Sequence, residues 1–166
     1  MKHLKSLLLA TALFIGATTL SNAQEKVAHI SLAEIITAMP EYKAAQAEVE
    51  QAGKTYEAEI QDMVKTLDAK LKQYDAEANG QTDDENQKRM QEVEGMKQSI
   101  SQYQQQAQQG LQKQETDKMK PIREKAQAAV KKVATALGID YVLDISTLVV
   151  SNGKDITPNV KKELGI

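Results

Sequence analysis

The chain has 166 residues, with 21 basic and 23 acidic side chains, five Tyr, one Phe, no Trp and no Cys. Without Cys there is neither a disulfide staple nor thiol chemistry, and so little aromatic bulk suits an elongated fold better than a broad globular core. A mildly acidic chain gains nothing from neutralising phosphates, which sets nucleic acid aside as a partner.

The first residues read as a leader. Lys2 and Lys5 precede an apolar run from Leu7 to Leu20, and Ser21-Asn22-Ala23 puts small residues at a cleavage site. The run is shorter than the roughly 20 residues of a membrane span, so no span is expected. No Cys follows the site, which excludes a lipid anchor. Residues 1–23 are therefore expected to be a signal peptide, with a soluble mature chain starting at Gln24. Its removal takes two of the 21 basic residues and none of the 23 acids, leaving a net charge of −4.

Lys26 to Ser31 is a short β-capable segment. Ser31 then reads as an N-cap with Glu34 as its capping-box partner, opening a brief helix over Leu32–Ala38. Pro40 ends that helix, because a proline disfavours helix at the residue before it.

A long helix is expected to start afresh near Glu41. Val49, Ala52, Tyr56, Ile60, Met63, Leu67, Leu71, Tyr74 and Ala78 follow steps of three and four, which keep one narrow apolar stripe on one helix face. Asn79-Gly80-Gln81-Thr82-Asp83-Asp84 is a turn followed by a helix restart. The stripe then returns as Val93, Met96, Ile100, Tyr103, Ala107 and Leu111. Two long helices folded into an antiparallel hairpin follow from this, with the tip near 79–84. Gln crowds residues 98–114 around Gly110, where the seam thins, and the composition fits either local softness or a bend, or simply a solvated low-complexity face.

Pro121 marks a kink or a fresh first turn, after which Ile122, Ala126, Ala129, Val130, Val133 and Leu137 continue a helical stripe. Gly138 is the expected C-cap. Ile139 to Ile145 and Thr147 to Val150 read as strands, Ser151 to Lys154 as a turn, and Asp155-Ile156 as a last strand residue or two. Thr157 is expected to cap a short final helix with Pro158 at its first position. The predicted class is α+β: a helical hairpin over 41–120, on a small sheet base formed by 24–40 and 121–166. Short strands leave edges, and oligomerisation is one way to cover them.

Catalysis fails on inventory. His29 is the one His after the leader, in a strand segment and with no G-x-S-x-G elbow in the chain. Asp83-Asp84-Glu85 lacks the spacing of a calcium loop and fits the start of a helix. Neither enzyme activity nor a cofactor or metal is expected.

The run Lys26-Val27-Ala28-His29-Ile30-Ser31, the long charged hairpin, Gly138-Ile139-Asp140-Tyr141-Val142-Leu143-Asp144 and Lys154-Asp155-Ile156-Thr157 together resemble the Skp or OmpH family of periplasmic chaperones. The resemblance spans essentially the whole mature chain. It implies a homotrimer whose joint β body carries helical tentacles around a cavity for unfolded outer-membrane proteins, without ATP or catalysis. The oligomerisation base would then draw on Val27, Ile30, Tyr141, Leu143, Ile145, Leu148 and Val150. Seam and client contacts would fall on Tyr56, Ile60, Met63, Leu67, Leu71, Tyr74, Met90, Val93, Met96, Ile100 and Tyr103. Well-known members are strongly basic, whereas residues 41–79 here carry nine acids against five bases. No lipopolysaccharide site is carried over for that reason. A second reading from another class is a rigid adaptor or spacer in an envelope assembly, with specificity at the tip over Asn79 to Arg89.

Overall fold

The computed structural model describes residues 26–166. The expected leader at 1–23 lies outside them. The chain divides into two compact units: a body made of the residues up to Met39 with Ile122–Ile166, and an arm, Pro40–Pro121.

The body is built from both chain ends. Strand β1, Val27–Ile30, lies between β2, Tyr141–Asp144, and the two-residue β3, Lys154–Asp155, giving the order β2-β1-β3. Both pairings are parallel, with Val27 opposite Tyr141 and His29 opposite Asp155. A central parallel strand is covered on both faces, and Ala28, His29 and Ile30 are all buried. Helix α1, Leu32–Ala38, follows β1 and packs on the last helix of the chain, Thr157–Leu164. Ile35, Met39, Ile156 and Val160 are the largest fully buried side chains.

Ser31 caps α1 as expected, its Oγ accepting from Glu34 N–H at 3.2 Å. The reciprocal half of the capping box is absent. Ser31 N–H instead donates to Thr157 Oγ1 at 2.9 Å, and Glu34 pairs with Lys161 at 2.6 Å. This corrects the reading of Thr157 as a cap, because its hydroxyl serves β1's exit rather than its own helix. The Asp155 carboxylate takes the local role, accepting from Thr157 N–H at 2.8 Å.

The arm holds α2, Pro40–Glu77, a 3₁₀ turn at Ala78–Gly80, and the first part of α3, Asp83–Leu137. Met39 has ψ 133°, the extended conformation that a following proline imposes, and Pro40 then serves as the first residue of α2. Thr82 Oγ1 accepts from Glu85 N–H at 3.2 Å, and acidic residues fill α3's first turn, where the helix dipole favours them. The hairpin is antiparallel: Glu77 meets Arg89, Lys70 meets Glu92, Glu59 meets Tyr103 and Glu48 meets Lys118. Each step towards the N-terminus on one helix is a step towards the C-terminus on the other.

Three further expectations are corrected. Pro121 lies inside α3, which is one continuous helix with no fresh start. Leu148 and Val150 are not in a strand. The Asp144 side chain accepts from Ser146 N–H and its carbonyl from Thr147 Oγ1, turning the chain into a 3₁₀ helix over Ile145–Thr147. Local side-chain bonds of this kind divert a β-prone run when no partner strand is at hand. Lys154, expected in a turn, is the first residue of β3.

Gly110 lies within α3, which persists through the Gln-rich segment as one helix. A methyl group there would sit 2.8 Å from the Tyr56 hydroxyl oxygen, so the glycine makes room for a ring across the seam. Gly110→Ala alone should therefore leave stability unchanged or lower it, since the gain in helix propensity is met by that clash. In a Tyr56→Phe background the same substitution should stabilise by about 0.5–1 kcal/mol, the ordinary preference of a helix for Ala over Gly. Urea unfolding of the four chains of this cycle checks it.

Gly138, at φ 67°, does end α3. Its N–H donates to Thr135 O and Ile139 N–H to Ala134 O, which closes the helix with a full Schellman motif.

Candidate functional site

Apolar spacing places the seam. Leu67, Val93 and Ile100 form a buried cluster, with Met63, Tyr74 and Met96 packed against it. Tyr56 and Tyr103 meet edge to face with centroids 6.0 Å apart, and Ile60 is half-buried. Two of the named residues stand outside this contact. Leu71 is 40% exposed and Met90 69% exposed, while Tyr74, one turn nearer the tip, still packs on the cluster.

Polar side chains join the two helices around Tyr74. Lys70 Nζ reaches Glu92 at 2.7 Å and the Tyr74 hydroxyl at 3.0 Å, and that hydroxyl also donates to Glu92. Arg89 lies over the Tyr74 ring, 4.6 Å from its centre, and bonds Glu77 at 2.8 Å. Asn86 closes the tip by donating to Ala78 O at 3.1 Å. Hydrogen bonds from Lys70, then from Tyr74, hold the Glu92 carboxyl below its usual pKa, and Gln73 with Arg89 does the same for Glu77. Glu59 accepts from Tyr103 and pushes that phenol up to about 12. Sequence reasoning missed this clasp. Its one linear trace is that the charges at 70, 77, 89 and 92 are complementary when the chain is folded about Gly80.

Shallow grooves run along the arm where the seam meets solvent. One lies beside Tyr42, Val49 and Met119, one beside Met63 and Met96, and one beside Leu71 and Met90. All have apolar floors and charged rims.

On the body, Ile30 is buried and Leu148 half-buried, while Val27, Tyr141, Leu143, Ile145 and Val150 are exposed. Val149, which the strand assignment gave no separate role, is fully exposed as well. Because β2 is an edge of the sheet, these apolar side chains flank a strand with one unpaired side.

Among the described residues, no group of three or more His, Asp and Glu side chains is placed to hold a metal ion. Nor is any of their helices long and apolar enough to cross a membrane. His29 is buried on β1, opposite Asp155.

The arrangement is that of a binding protein: a helical arm with distributed apolar grooves, and a small parallel sheet with one apolar edge. The chain belongs to the outer membrane protein (OmpH-like) family, whose model matches residues 26–164. It is 26% identical over 153 residues to the chaperone protein Skp of Pectobacterium atrosepticum, covering 92% of this chain and 93% of that one. With the Skp of Salmonella typhimurium it shares 25% over 163 residues, covering 97% and 99%. A solved structure from Caulobacter crescentus CB15, described as an OmpH-like outer membrane chaperone, superposes with a TM-score of 0.76 at 18% identity. That match covers 84% of this chain and 83% of the other, and it shows the fold.

Proposed function

We propose that the chain is an ATP-independent periplasmic holdase that keeps unfolded outer-membrane proteins from aggregating. Family membership across nearly all of the described residues carries this reading. The arm supports it chemically. Its apolar surface is dispersed over several shallow grooves rather than concentrated in one pocket, and it is rich in Met and Tyr, which adapt to varied partners. Contacts of this kind are individually weak, so capture requires many at once, and avidity from several arms supplies that. The apolar edge of β2 supports self-association, and a homotrimer is the assembly proposed.

The test has two parts. Native mass measurement of the mature chain should give three copies. Suppression of aggregation of an unfolded outer-membrane protein, without nucleotide, should then be lost stepwise as the arm shortens. Deleting 57–67 together with 99–109 removes about three turns from each helix and keeps the remaining faces in phase. The largest client retained should fall accordingly. A shortened arm that holds clients of undiminished size would overturn the holdase reading and favour a spacer with a specific tip.

A further inference from the structure

The groove beside Met63 and Met96 has a feature that the fold does not explain. Gly95 lines it from within α3, in ordinary helical backbone, and a Cβ atom built there meets nothing within 4 Å. Glycine is thus required neither by conformation nor by packing, and it costs helix stability. Its effect is to leave the groove open, with a volume of about 570 Å³. Volumes in this range accommodate small ligands or a few side chains.

The rim of the groove has one sign. Glu59, Asp62 and Glu92 stand around a floor of Met63, Met96 and Ile100, and no Lys or Arg is among the lining residues. Lys70 compensates Glu92 at 2.7 Å, and Lys65, from an exposed position, compensates Asp62 at 3.2 Å. Glu59 is held by the neutral hydroxyl of Tyr103, which leaves its charge uncancelled. The surrounding arm, residues 40–121, carries 16 acids against 11 bases, so the wider field has the same sign.

We propose that this groove takes client segments in which a Lys or Arg flanks a large apolar side chain. The apolar group lies on the methionine floor, where adaptable thioethers fit varied shapes, and the cation meets Glu59. The inference rests on the holdase reading and names the class of segment that this part of the arm prefers. Acidic segments are disfavoured by the same rim.

Short labelled peptides of extended sequence test it on the full mature protein, read by fluorescence anisotropy. Three probes share one apolar centre and differ only in flanking Lys, Gln or Glu. The Lys probe should bind about fivefold tighter than the Gln probe, as a single partly screened ion pair allows, and the Glu probe more weakly still. Raising salt to about 0.3 M should narrow those differences. Gly95→Leu fills the groove while favouring the helix, so Lys-probe binding should fall about fivefold with no loss of thermal stability. Glu59→Gln, which keeps an acceptor for Tyr103, should shrink the preference for Lys over Glu. Equal binding of the three probes, or unchanged binding by Gly95→Leu, would overturn the groove. If aggregation suppression by the unmodified chain survives in that case, the holdase reading stands without it. Failure of suppression itself removes the holdase reading instead.

Discussion

Ile35→Ala should destabilise the body by about 2–5 kcal/mol, the range for deleting most of a fully buried aliphatic side chain. Ile35 is 0% exposed, and it lies on α1, which packs on the Thr157–Leu164 helix. The body is small, so few neighbouring side chains can close over the void left behind. It is also held by two strands of four residues and one of two, which offer little backbone bonding in reserve. Hydrogen exchange at Val27–Ile30 reads the loss directly, and at the lower bound these amides should exchange about 30-fold faster. Gln127→Ala is the control: that side chain is exposed on the body's part of α3, and exchange should be nearly unchanged. Both chains need the same protein concentration, because assembly adds to apparent stability. Equal exchange rates for Ile35→Ala and the unmodified chain would mean that the sheet is held by something other than this core.

Much of the fold can be read from the sequence because its elements are set by local patterns. Steps of three and four place Leu67, Val93 and Ile100 in one cluster. Ser31 and Gly138 mark helix ends through bonds within a few residues of themselves. Where the reading failed, a distant partner or a missing one decided the outcome. Thr147 to Val150 has strand composition, but a strand exists only where a neighbour pairs with it, and the Asp144 turn takes the chain away first. Thr157 looks like a cap until Ser31, 126 residues away, claims its hydroxyl. Leu71 keeps the spacing of the seam yet stays 40% exposed, while its neighbours Lys70 and Tyr74 reach Glu92 across the hairpin. The groove was hidden for the same reason. Its rim combines Glu59 and Asp62 with Glu92 from the opposite helix, and only the register of the hairpin brings them together. Gly95 taken alone is one glycine among eight. It becomes informative once the space beside it is known to be empty.

Arg89→Ala should free the outer part of the hairpin while leaving the rest closed. The apolar cluster built on Leu67, Val93 and Ile100 ends at Tyr74, and beyond it the two helices are joined by polar groups. Arg89 is the central one, 13% exposed, bonded to Glu77 at 2.8 Å and laid over Tyr74. Its Nη1 is buried without a hydrogen-bond partner, so the clasp carries an uncompensated cost and has little margin. Removing the guanidinium should speed exchange of amides 75–92 at least about tenfold, the equivalent of one lost hydrogen bond to a charged group. Amides 56–67, beside the apolar seam, should be unaffected. Arg89→Met restores contact with the Tyr74 ring but not the ion pair, and should recover only part of the protection. Acid should reproduce the effect in the unmodified chain. Hydrogen bonds from Lys70 and Tyr74 lower the Glu92 pKa, and those from Gln73 and Arg89 lower that of Glu77. A carboxyl whose folded pKa lies below its unfolded value stabilises while ionised, and that contribution fades as pH falls from the usual value of 4.5 through the folded one. Tip protection should therefore drop below about pH 4.5 while the apolar seam holds, and Arg89→Ala should show a smaller drop because Glu77 has already lost its cation. If acid or Arg89→Ala loosened the whole hairpin evenly, the arm would be a single cooperative unit and the clasp would have no separate role.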